Sequence, residues 1–204
     1  MPVPAVVEHS APPGASGHVI GQMWKAVAAV HAQEAAHLQA LRHVRALDGY
    51  RAILARLYGF QQPAEEAIGT APHWAAIGFD PAGLCRAGSL RTDLAILGLS
   101  DDDIAGLPRC SLSPITSLPQ AVGVAFPLLG SIFGGAKMRQ WITAALPEAP
   151  TGFFANPGQV SWRQFAALAE AALPDVISQT QATDAAVDTM HRLVAWTGIQ
   201  QQAA

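Results

Sequence analysis

The sequence predicts an all-α protein, a single-domain bundle of about seven or eight helices, and three observations predict it. Half of the 204 residues are hydrophobic and only 13% are charged, enough apolar side chain for one sizeable core. Alanine and leucine dominate while β-branched runs are scarce, which favours helix over sheet. Prolines, glycines and capping residues then cut the chain into helix-length pieces.

Taken in order, residues 1–18, with their Pro-rich and Gly-Ala-Ser stretches, read as a flexible leader, and 19–200 as the helical domain. An alanine-rich helix is expected from about Gly21 to Ala46. Asp48 is placed as the N-cap of a helix from about Tyr50 to Phe60. Pro63 opens the next one, with Glu65 and Glu66 in its first turn, where carboxylates suit the helix dipole. After a broken stretch over 69–83, a helix is expected from about Leu84 to Leu97, and a short one capped by Ser100 and ended by Gly106. Three prolines make 107–119 irregular. A long glycine-bearing helix then runs to about Leu146 with a kink, and a loop from Pro147 to Gly158 carries Phe153 and Phe154. Ser161 caps a helix to about Leu173, and Pro174-Asp175 starts the last one, which Gly198 ends near Thr197.

Composition also excludes some functions. The net charge of −3 and scattered basic residues give no nucleic-acid footprint. No segment reaches the roughly 18 uninterrupted apolar residues of a membrane span, and the N-terminus does not read as a secretory signal. Cys85 and Cys110 form neither a metal pair nor a disulfide framework, as expected of reduced thiols in a cytoplasm.

The most informative segment is AVGVAFPLLGSIFGG, residues 121–135. Glycine inside a helix costs about 1 kcal/mol relative to alanine. Gly130 and Gly134 share one face, as do Ser131 and Gly135, because each pair is separated by one turn. Such a face admits close helix packing through small residues. It resembles a phosphate loop only loosely, since Lys137 is not followed by Ser or Thr. It also suits a flat prosthetic group, because a porphyrin plane lies about 3.5–4 Å from whatever covers it. Phe126, Phe133, Phe153, Phe154 and Trp162 supply aromatic walls nearby, and Lys25 and Arg163 are candidates for a ligand's carboxylates.

Three histidines lie on the first helix. His31 has small or apolar neighbours, Val27, Ala28 and Ala35, and a neutral imidazole there is either a satisfied core histidine or an axial ligand for heme iron. His37 and His43 have more polar surroundings. Glu34 and His37, and likewise Asp188 and His191, stand three apart on helices, the spacing of a di-metal bundle site. Glu65, Glu66 and Glu170 are its available further carboxylates.

Five segments, in order, resemble the biliverdin-forming heme oxygenases, especially the bacterial branch found beside bacteriophytochromes. WKAVAAVH (24–31) resembles the first helix, ending in the proximal histidine. LDGYRAILARLYGFQQPAEEAI (47–68) and RTDLAILG (91–98) resemble the family's second-helix and Asp-Leu-x-x-Leu-Gly elements. GVAFPLLGSIFGG (123–135) resembles the distal helix, and FFANPGQVSWRQF (153–165) the Phe-Phe loop with its following Trp helix. The resemblance implies heme as both substrate and cofactor, O2 and external electrons from a ferredoxin or reductase, and biliverdin, CO and Fe2+ as products. It implies His31 as iron ligand; Gly130, Ser131 and Gly134 at the reacting face; and Gly135, Phe154, Lys25 and Arg163 as further heme contacts. A bacteriophytochrome is the implied acceptor of the product. The chain departs from the family at Val27, where Thr is frequent, at Phe126 and Leu129, where Tyr and Glu are usual, and at Pro127 inside the distal helix. A non-catalytic heme carrier on the same fold therefore stays open beside the enzyme, as does the di-metal oxidase.

Overall fold

The computed structural model describes residues 18–38, 41, 44–72, 74–156 and 160–198. The expected leader lies outside them almost entirely. The described residues form helices without strands: α1 (His18–Leu38), α2 (Leu47–Gly69), α3 (Ala87–Ile96), α4 (Asp101–Ala105), α5 (Leu118–Ala145), α6 (Gly152–Ala155), α7 (Trp162–Ala172) and α8 (Val176–Thr197). Two 3-10 turns, Trp74–Ile77 and Pro81–Leu84, join α2 to α3.

Several boundaries follow the caps. Ser100 and Asp103 form a reciprocal capping box on α4, as do Ser161 and Gln164 on α7 and Asp175 and Ser178 on α8. Others differ from expectation. Asp48 does not cap: α2 starts at Leu47, and Asp48 sits in its first turn, paired with Arg51 at 2.9 Å. Pro63 does not open a helix but lies inside α2. Its missing N–H would have bonded the Gly59 carbonyl one turn back, and the Cys110 N–H donates to that carbonyl instead, at 2.8 Å. The helix therefore continues through the proline because another segment supplies the lost donor. The helix expected from Leu84 begins at Ala87, and the Phe153-Phe154 loop holds the single turn α6, whose Gly152 and Phe153 N–H groups donate to the buried Asp93 carboxylate.

Two hydrophobic cores share α5. One joins α1, α7 and α8 to the first arm of α5, where residues 121–129 are buried on every side. The other joins α2, α3 and α6 to the far end, through Ile142 and Leu146. The two arms, Leu118–Ile132 and Gly134–Ala145, are bent by 41°, as glycine-bearing helices permit. Gly123 lets the first arm meet α8: an added Cβ would come within 2.2 Å of the Ala182 carbonyl oxygen. Among the described residues no single helix is long and apolar enough to cross a membrane; α5 passes that test only as a bent pair of arms.

Gly123→Ala must push α5 off α8 and should destabilise the protein by about 1–3 kcal/mol, measured by urea unfolding. Hydrogen bonds from Ser178 and Ile177 hold the Asp175 carboxyl below its usual range, and bonds from Ser100 do the same for Asp103. A carboxyl with a depressed folded-state pKa stabilises above its unfolded value, and that contribution vanishes as pH falls through the folded one. Helix content by circular dichroism should thus drop below about pH 4, and less so in Asp175→Asn, which still caps but does not titrate.

Candidate functional site

The site is built where α1 and α5 approach each other. α1 packs on α8 and α7, and its aromatic link to α5 is Trp24, whose ring meets Phe126 edge-on with centroids 6.3 Å apart. The same Trp24 ring lies 5.4 Å from the imidazole of His31, two turns further along α1. Phe126 leans in turn on Trp162, at 5.4 Å. Met23, Val27 and Val30 are buried beneath, while His31 is half-buried. Of the neighbours expected to bury His31, Val27 is buried and Ala28 is exposed, and the side chain of Ala35 lies outside the described residues; the contact the structure adds is the Trp24 ring.

One turn beyond Phe126 on α5, burial stops: Gly130, Ser131, Ile132 and Gly134 are half-exposed. The glycines here do different things. A Cβ built on Gly130 meets nothing within 4 Å. One on Gly134 meets only the terminal methyl of Met138, on its own helix. Gly135 is different: its missing side chain makes room for the Phe154 carbonyl oxygen, 2.7 Å from an added Cβ. Gly135 and Phe154 thus meet each other, docking α6 on α5, and Phe154 packs edge-on against Phe153 at 5.2 Å within the second core. In chemistry, an imidazole beside Trp24 on α1 and a half-exposed glycine one turn past Phe126 on α5 are groups that suit a heme.

Ser131 is not unengaged. Its hydroxyl donates to the Leu128 carbonyl at 2.7 Å and accepts from Arg86 Nη2, also at 2.7 Å. Arg86 is the residue that sequence reading missed. It is 2% exposed, and nothing in the composition of the Cys-Arg-Ala-Gly stretch marks it as buried. Its burial follows from a long-range contact: the Glu65 carboxylate on α2 accepts from the Arg86 and Ala87 N–H groups at 2.6 and 3.0 Å, and so serves the first turn of α3. Lys25 and Arg163 lie on exposed faces of α1 and α7.

The residues considered for a di-metal site are spread and engaged. Glu65 serves α3 and also accepts from the Gln61 amide, and Glu170 accepts from the Val19 N–H at 2.7 Å. Asp188 is bound to Arg192 and Ser113, and Glu66 is exposed. Among the described residues no three His, Cys, Asp or Glu side chains converge. The side chains of Glu34, His37 and Phe133, and all of His43, lie outside the described residues.

No family model matches the chain, and no curated protein is similar to it in sequence. Among solved structures it is similar to heme oxygenase-1 of the cyanobacterium Synechocystis sp. PCC6803, determined in complex with heme. The two share 17% identity over 90% of this chain and 92% of that one, with a TM-score of 0.65. This is the all-α heme oxygenase fold. At that identity the likeness establishes architecture, and function has to be argued from the side chains.

Gly130 and Gly123 are therefore expected to respond in opposite ways. Gly130→Ala should leave the apo-protein as stable or raise its stability by up to about 1 kcal/mol, because helix propensity improves and no atom is met. The same variant should weaken hemin binding, measured by titration at the Soret band, if the open face is where the ring lies.

Proposed function

We propose that this protein binds heme between α1 and α5 and opens the ring with O2 and externally supplied electrons, releasing biliverdin, CO and Fe2+. One observation carries the reading: within a heme oxygenase fold, the glycine segment leaves open space at Gly130 while His31 stands half-buried beside Trp24 on the other helix. Heme, once bound, supplies the iron that activates O2 and is also the macrocycle that is cleaved.

The chain's own residues divide the remaining work. His31 would be the proximal ligand, with Trp24 restricting its ring. Gly130 and Gly134 would let the α5 backbone lie close against the face of the ring opposite His31. Phe126 and Trp162 would close the apolar end and exclude water. Lys25 and Arg163, exposed on α1 and α7, would pair with the propionates and set which edge of the ring faces Ser131. A ferredoxin or reductase would deliver the electrons in the cytoplasm, and a bacteriophytochrome would take the bilin.

One feature favours a non-catalytic heme carrier as the second reading. Phe126 and Leu129 are 1% and 2% exposed, so the first arm of α5 contributes no polar side chain there. Turnover separates the two. Hemin added to the purified protein should produce a Soret band, and ascorbate or a ferredoxin–reductase pair should convert it to a bilin band. A stable Soret band without bilin leaves a carrier; no Soret band at all ends the heme reading. His31→Ala should abolish the coordination signal or weaken it at least tenfold in affinity, about 1.4 kcal/mol, and an unchanged spectrum would remove His31 as the ligand.

A further inference from the structure

Arg86 is a buried cation whose head group meets no carboxylate oxygen among the described residues. Its Nη2 donates to Ser131 Oγ at 2.7 Å and its Nη1 to the Asn156 carbonyl at 3.3 Å, while Nε is buried without a hydrogen-bond partner among those residues. The guanidinium lies over the ring of Phe153, 4.4 Å from its centroid. Burial lowers its pKa to about 10, with Glu65 opposing that shift, so it is charged at neutral pH. A buried charge held mainly by neutral groups is costly. Here it stands directly behind the half-exposed stretch of α5.

The contact fixes the polarity of Ser131. A hydroxyl has one proton and two acceptor sites. The proton goes to the Leu128 carbonyl and one acceptor site is filled by Arg86, so only acceptor capacity remains. Ser131 thus has an oxygen lone pair, not an O–H, left to offer, and a fixed positive charge lies one hydrogen bond beyond it. Phe126 and Leu129 are apolar and buried, so Ser131 is the polar side chain between residues 121 and 135 of α5. Arg86 brings a second polar group in from the start of α3.

We propose that Arg86 is a positioning residue of the distal face, holding Ser131 as an acceptor and supplying a buried positive charge directly behind it. The pairing stands on the protein alone; its effect on a ligand rests on the heme reading above. Two measurements keep these apart. In apo-protein, urea unfolding of Arg86→Met, Ser131→Ala and the double variant should show non-additive losses, because both single changes break the same contact. Additive losses would overturn the pairing. Ser131→Ala keeps a good helix former in α5, so it is the variant to rely on should Arg86→Met fail to fold, with Arg86→Lys completing the cycle.

In hemin-loaded, reduced protein under CO, the C–O stretching frequency reads the field on that side of the ring, since a nearby positive charge increases back-donation and lowers the frequency. Arg86→Met should shift it upward, Arg86→Lys should return it toward wild type, and Ser131→Ala should shift it by a different amount because the charge stays. A frequency unmoved in Arg86→Met, with the Soret band intact, would overturn the distal role. Failure of the wild type to form any Soret band would overturn the heme reading and that role together, while the apo-protein cycle would still decide the pairing.

Discussion

The buried junction of Glu65, Arg86 and Ser131 is the interaction on which the rest of the arrangement depends. Glu65, on α2, receives the first N–H groups of α3; Arg86, at that same point, reaches Ser131 on α5 and lies on Phe153 of α6. Four helices are registered through one carboxylate and one guanidinium, each nearly excluded from water. In so dry a setting directed hydrogen bonds are strong, and their absence is expensive. The junction therefore sets where α5 stands relative to the α2–α3 unit.

α5 is the element under tension between two demands. Its first arm is buried on every side in one core, its last turns close the second, and the bend between them leaves the Gly130–Gly134 stretch half-exposed. The small residues along it are not equivalent. Gly123 admits α8 and Gly135 admits the backbone of α6, so both are consumed by packing. At Gly130 an added Cβ would meet nothing within 4 Å, as at the helical Gly21, Gly49, Gly69 and Gly88, so packing against a neighbour does not require glycine there.

Much of this was legible in the chain. Caps are local: Ser100, Ser161 and Asp175 each bond an N–H three residues away, so their helices start where the residue types say. The all-α class likewise follows from composition, whereas His31, expected on a buried face, is half-buried with Ala28 beside it exposed. Pro63 misled because its remedy lies far off: the Cys110 N–H that replaces its missing donor belongs to a segment almost fifty residues away. Asp48 misled because a residue suited to capping can equally serve the first turn. Arg86 was invisible for the same reason as Pro63's rescue, since a solvated arginine and a buried one look identical until their neighbours are in place.

Local chemistry in the chain thus dictates the helices, their caps, the apolar stripes and the one run of glycines too costly to be ordinary. These depend on residues within a turn or two of each other, where spacing is geometry. Packing alone reveals that an added Cβ would be free at Gly130 but blocked at Gly123 and Gly135, and that the partner of Ser131 is an arginine forty-five residues earlier. Each of those depends on which backbone arrives from elsewhere, and a side chain's burial and charge environment are properties of that encounter rather than of the residue.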